Sequence, residues 1–218
     1  MIDKKKLFGD FQLPQARQEC LIHSMFNHPN IVKLFKYTET PDEIVILMEH
    51  CNDAMYLENK LETRKKEIKN ETKLKNYARD ILTALNVIHE AGIVHADLKL
   101  ANIVLHRPSD EEKLAGKRSV LKIIDFGIAQ IITPELFDGE KKALMKERSG
   151  TAHYIAPEVH ANMIPVGPEI DMWAFGIILY EMCVAYKPTQ VNKYRYGSGP
   201  IPIRPRDWKN LSNKGADV

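Results

Sequence analysis

The spacing of apolar positions changes character three times along the chain. After Pro14, residues Ala16, Cys20, Ile22, His23 and Phe26 recur at helical intervals, and a proline suits a helix start because the first turn has no partner for its N–H. Then HPNIVKLFKY (28–37) and EIVILMEHC (43–51), rich in Ile and Val, read as two antiparallel strands about the turn Thr40-Pro41-Asp42. From Glu71 the period returns to that of a helix. Leu74, Tyr77, Ala78, Ile81, Leu82, Leu85 and Ile88 form one stripe, which ends at Ala91-Gly92.

Beyond it the elements are shorter. Ile103-Val104-Leu105 and Val120 to Ile124 predict two strands joined by a polar insertion, residues 106–119, whose low apolar content predicts an exposed, mobile loop that is either a docking site or nothing. Residues 131–150 read as irregular, Pro157 opens a short helix, and Asp171 sits at or near the start of an apolar helix reaching Tyr186, where capping the helix and anchoring a neighbouring loop are compatible roles. No element is expected in the Pro-, Gly- and Lys-rich tail 187–218. The pattern therefore predicts an α+β chain of two lobes: a small strand-rich part over residues 1–50, a hinge near 49–53, and a mostly helical part over 51–218.

Composition narrows the function classes. The 218 residues are 44% hydrophobic, enough for a true core, and the net charge of +2 leaves neither a nucleic-acid footprint nor a field that steers toward membranes. Lys4-Lys5-Lys6 and Arg64-Lys65-Lys66 read as solvated surface. Cys20, Cys51 and Cys183 are odd in number and widely spaced, without a zinc pattern, so reduced thiols in a cytoplasmic or nuclear setting are expected. The segment Met172 to Tyr186 is interrupted by Glu181 and falls short of the ~20 residues a bilayer needs.

The chemistry gathers in HADLKLAN (95–102) and KIIDFGIAQ (122–130). Phosphoryl transfer needs divalent cations on hard oxygen ligands, a cationic side chain near the phosphate, and a group that orients the acceptor hydroxyl. Asp125, before Gly127, and the amide oxygen of Asn102 are candidate metal ligands; Lys99 offers the cation and Asp97 the acceptor of a hydroxyl proton. Each of these residues can equally be an ordinary loop cap when taken alone. His23, His28, His89, His95 and His153 read first as packing or capping residues, and Met48 as core.

HADLKLAN, IIDFGIA and GTAHYIAPE (150–158), in that order, resemble the catalytic loop, metal-binding triplet and end of the activation segment of eukaryotic protein kinases. The resemblance runs from residue 1 to about 186, with Glu19 at the place of the αC glutamate, EIVILMEHC at the fifth strand and hinge, and DMWAFGIILYEM (171–182) at the helix whose Asp anchors the catalytic loop. It implies a bilobal kinase-like fold with a small antiparallel amino-terminal lobe. It implies Asp97 as catalytic base, Lys99 near the γ-phosphate, Thr151 steadying both, and Asn102 and Asp125 as Mg²⁺ ligands. Glu49 and Cys51 would offer backbone groups to the adenine of ATP with Met48 behind it, while His95, Phe126, His23 and Leu34 would stack into a column between the lobes. Lys99 and GTAHYIAPE match the Ser/Thr kind, which implies protein substrates with Ser or Thr acceptors. The region around Glu19 is similar to that of polo-like and calcium/calmodulin-type kinases without singling out a subfamily.

Three departures accompany the match. No Gly-rich loop or V-A-I-K lysine precedes Glu19, so both lobes are expected to be incomplete and the chain to bind Mg-ATP weakly; a solvated Glu19 is the rival reading. No arginine follows that would pair with Glu158. Ala96 replaces the arginine that normally binds a phosphate in the activation segment, so the resemblance implies a non-RD kinase without that control, Thr133 and Ser149 notwithstanding. A scaffold of the pseudokinase type is the alternative function. A small-molecule kinase would use a similar Asp and Asn but has no need of GTAHYIAPE.

Overall fold

The computed structural model describes residues 1–6, 12–51, 55–57, 68–133, 139–140, 142–143, 150–160 and 165–188. Arg64-Lys65-Lys66, Ser149, the far end of the expected hinge and nearly all of the tail lie outside the described residues.

Strands β1 (Ile2–Asp3), β2 (Leu34–Glu39) and β3 (Glu43–Met48) form an antiparallel sheet in the order β1-β3-β2. Helix α1 (Gln12–Ser24) begins two residues before Pro14, which lies in the first turn, where an absent N–H breaks no helical bond. Strand alternation divides β3 between two faces: Ile44 and Ile46 pack on Ala16 and Cys20 of α1, whereas Val45 and Leu47 on the opposite face are exposed. Lys4, Lys5 and Lys6 pair with Glu39, Asp42 and Asp3, in keeping with a solvated surface.

Helix α2 (Glu71–Glu90) starts at Asn70, whose Oδ1 accepts the Lys73 N–H at 2.9 Å, and its chain reverses at Gly92, where φ is +73°. Leu74, Tyr77, Ile81, Leu85 and Ile88 are buried as the stripe requires, but Leu82 is 38% exposed and marks the edge of that stripe. Strands β4 (Met55–Tyr56), β6 (Ile103–His106) and β7 (Val120–Ile123) make a second antiparallel sheet, and β5 (Ile93–Val94) pairs with β8 (Gln130–Ile131).

The insertion between β6 and β7 departs from expectation. Residues Asp110–Leu114 form a helix, α3, and Ser109 and Glu112 close a capping box at its start. Its far end is held: Arg118 makes a two-pronged pair at 2.5 and 2.8 Å with the buried Asp80 of α2. The Ser109-x-x-Glu112 spacing carried that signal in the sequence.

Helices α4 (Pro157–His160) and α5 (Glu169–Val184) follow. The main core joins α2, β6, β7 and α5, and takes in Ile22, Phe26 and Ile31 from the amino-terminal part, so the two lobes share apolar contacts. Among the described residues no helix is long and apolar enough to cross a membrane.

Candidate active site

The loop 95–102 hangs from a buried carboxylate. Asp171, 1% exposed on α5, accepts the N–H of His95 (2.8 Å) and of Ala96 (2.9 Å), and bonds His89 Nε2 at 2.8 Å. Those donors satisfy a group that would otherwise be costly to bury. The helix cap is Pro168, so Asp171 anchors the loop and does not cap α5. The clamp holds Ala96 at φ +65°, a left-handed conformation unusual for a residue with a side chain.

The loop then brings its polar side chains to a point. Lys99 Nζ donates to Asp97 Oδ2 at 2.6 Å and to Thr151 Oγ1 at 2.9 Å, while Thr151 Oγ1 donates to Asp97 Oδ1 at 2.8 Å. Asn102 Nδ2 donates to the Asp97 carbonyl (3.0 Å) and to Oδ2 (3.3 Å). Because both neighbours are acceptors, the amide nitrogen must face them, and Asn102 Oδ1 makes no hydrogen bond among the described residues. Gly150 makes the approach of Thr151 possible: its φ is +114°, and a Cβ there would stand 3.3 Å from the Ala96 carbonyl oxygen.

Asp125 enters from the β7 side. The Ile124 N–H donates to the Asn102 carbonyl at 3.0 Å, which ties the two loops one residue before Asp125. Asp125 is exposed, sits at φ +68° and accepts the Gly127 N–H at 3.0 Å. Asn102 Oδ1 and the Asp125 carboxylate are hard oxygen donors, the set that suits Mg²⁺ with phosphate oxygens completing the shell. Glu19 of α1 lies beside them, with its carboxylate 3.6 Å from where a Gly127 Cβ would stand. Burial, and then the charge of Asp125, raises the Glu19 pKa, and among the described residues no cation pairs with it. Glu19 is therefore partly buried beside Asp125.

Phe126 packs between His95 (ring centroids 5.2 Å) and His23 (5.0 Å), so three members of the expected column meet. Phe26 stacks on Phe126 at 5.2 Å, a contact the pattern did not single out, and Leu34 is buried outside this core. Burial lowers the His23 pKa, and its Nε2 donates to the Val32 carbonyl at 2.6 Å, fitting a neutral packing residue.

The hinge differs in detail. Met48 is 47% exposed, which overturns its reading as core. The Glu49 N–H already donates to the Lys33 carbonyl at 2.7 Å, leaving its carbonyl as the backbone group on offer. Its carboxylate pairs with Lys122 at 2.8 Å, a buried lysine that no motif singles out. Cys51 packs its side chain on Val32, Val104 and Ile124. On the other side of the loop, Ala96 abuts an apolar cluster that includes Val94, Ile132, Ala143 and Ile170; no cationic side chain from position 96 reaches there. The Thr133 hydroxyl is buried.

A strand-rich lobe and a helical lobe joined by a His–Phe–His column, with a polar loop hung from a buried aspartate, define a bilobal kinase-type fold. The chain belongs to the protein kinase domain family, whose model matches residues 1–198. It is 34% identical over 173 residues to calcium/calmodulin-dependent protein kinase type IV of Mus musculus, covering 79% of this chain and 33% of that protein. It is 33% identical over 188 residues to serine/threonine-protein kinase polo of Drosophila melanogaster, covering 86% and 29%. With NUAK family SNF1-like kinase 1 of Mus musculus it shares 29% identity over 217 residues, covering 96% and 30%. The chain thus spans about a third of the length of these curated relatives. They support a member of the eukaryotic Ser/Thr branch.

Proposed function

We propose that this chain carries the catalytic loop of a protein serine/threonine kinase, which moves the γ-phosphoryl of Mg-ATP to a Ser or Thr hydroxyl of a protein substrate. One observation carries the reading: Lys99, Thr151 and Asn102 all bond the Asp97 carboxylate, and Asn102, whose Oδ1 makes no hydrogen bond among the described residues, is tied by its backbone carbonyl to the residue before Asp125. In its role Asp97 accepts the hydrogen bond of the incoming hydroxyl and aims its oxygen at phosphorus. Lys99 places a positive charge where phosphoryl charge develops, and Thr151 fixes the angle between the two. Asn102 and Asp125 would hold magnesium, which when bound neutralises phosphate oxygens. The Glu49 carbonyl and the Cys51 backbone would meet adenine, with Met48 lining the approach. Thiols kept reduced and buried suit an intracellular setting.

Glu19, close to Asp125 without a cation among the described residues, favours a second reading: a scaffold that binds partners and transfers nothing. A phosphotransfer assay on a Ser/Thr peptide library separates the two. Transfer by the wild type, reduced at least about 100-fold by Asp97→Asn, supports the kinase. Undiminished transfer by Asp97→Asn overturns the role of Asp97, and a wild type that binds nucleotide without transfer supports the scaffold.

A further inference from the structure

Glu49, Cys51 and His106 each bring a ligand atom within 4.8 Å of the others, at a place separate from the all-oxygen pair Asn102 and Asp125. Their convergence follows from the backbone. Glu49 and Cys51 are two residues apart in the stretch that leaves β3, and Val104 and His106 are two apart on β6. Residues at i and i+2 of extended chain share a side. Val104 already packs on Cys51, so His106 lies on the side of β6 that faces the hinge.

The donors are a thiol, an imidazole and a carboxylate. That mixture selects a borderline, thiophilic cation over magnesium. The Nδ1 of His106 is buried and makes no hydrogen bond among the described residues, which leaves a buried lone pair or N–H unsatisfied. Tetrahedral zinc sets its ligand atoms about 3.5 Å apart, from bond lengths of ~2.0–2.3 Å. The three side chains need to close by roughly 1 Å to meet that spacing, well within the reach of their own torsions.

We infer that Glu49, Cys51 and His106 form a zinc-class cation site that bridges the hinge to β6, with a water in the fourth position. Binding exchanges a proton for the ion: the Cys51 S–H bond breaks, the thiolate sulfur bonds the metal, and the proton passes to solvent. A cysteine thiol is ordinarily protonated near neutral pH, so this proton is available to leave. Lys122 Nζ lies 2.8 Å from Glu49 Oε1 and 2.9 Å from Oε2, and Oε2 also accepts the Lys33 N–H at 3.1 Å, so Oε1 is the oxygen with a lone pair to share with the ion. The ligands come from positions 49, 51 and 106, so no Cys/His spacing motif announces the site.

Titration of the purified chain with zinc or cadmium chloride alone tests this, since nucleotide plays no part and the outcome is independent of kinase activity. Calorimetry is expected to give one site, and cadmium an ultraviolet thiolate-to-metal band. Cys51→Ser abolishes that band, His106→Gln weakens binding at least about tenfold, and Cys20→Ser and Cys183→Ser keep both signals. Circular dichroism of the metal-free variants checks the fold; should Cys51→Ser unfold, the partly exposed His106→Gln decides the matter. No band in the wild type, a band retained by Cys51→Ser, or His106→Gln binding within about twofold of wild type overturns the site.

Discussion

Glu19 shows how a single residue records the demands of a site. Its carboxylate is half-buried and faces Asp125, and burial followed by that charge raises its pKa. An acid whose folded pKa exceeds its unfolded one costs stability once both states are ionised, and the cost disappears when both are protonated. Glu19→Gln therefore raises the thermal midpoint at pH 7 by a few degrees, a gain that vanishes on acidification below about pH 4. A melting series from pH 4 to 8 reads it, and an equal gain at both ends contradicts a burial penalty on the charged form. At this scale the motifs were informative. Asp97, Lys99 and Asn102 share one short loop, and Thr151 and Asp171 join them from distant segments as the family resemblance implied. Lys122 and His106 were illegible, because isolated residues in apolar strands carry no sign of what lies across the sheet.

Among elements, the periodic ones were readable from their apolar spacing and the polar one only from its capping box. Helix α2 buries the stripe its sequence displays, and α5 buries an almost wholly apolar surface. The insertion instead gains its order from a local cap and one distant ion pair, neither of which hydrophobic periodicity can register. Asp80 is 3% exposed and depends on Arg118, with the Leu121 N–H as a further donor at 3.0 Å. Removing a partner from a fully buried pair costs ~3–5 kcal/mol, but the Arg118 side chain is 42% exposed, so water compensates in part. Arg118→Ala is expected to cost about 1–3 kcal/mol, a shift of several degrees in the melting midpoint. A change under about 0.5 kcal/mol would mean that the insertion is not held by this pair.

For the molecule as a whole, the two lobes are joined through shared core and through the Phe126 column, and the amino-terminal sheet is covered by α1 on one face alone among the described residues. The opposite face shows Val45 and Leu47, the latter 59% exposed, next to Met48. Contiguous apolar surface of this kind favours self-association. Leu47→Thr is expected to change stability by no more than about 0.5 kcal/mol while shifting the sedimentation profile toward monomer; an unchanged profile would clear this face. In the proposed function Asn102 and Asp125, both of the helical lobe, hold magnesium from two loops that the Ile124 N–H ties to the Asn102 carbonyl. The most direct measurement is calorimetric titration with a non-hydrolysable ATP analogue, with and without Mg²⁺, in wild type and Asp125→Asn. Weak binding is expected, falling at least about tenfold when magnesium is withheld, with Asp125→Asn insensitive to the ion. Equal affinity with and without magnesium in the wild type would contradict a magnesium site built from these two residues.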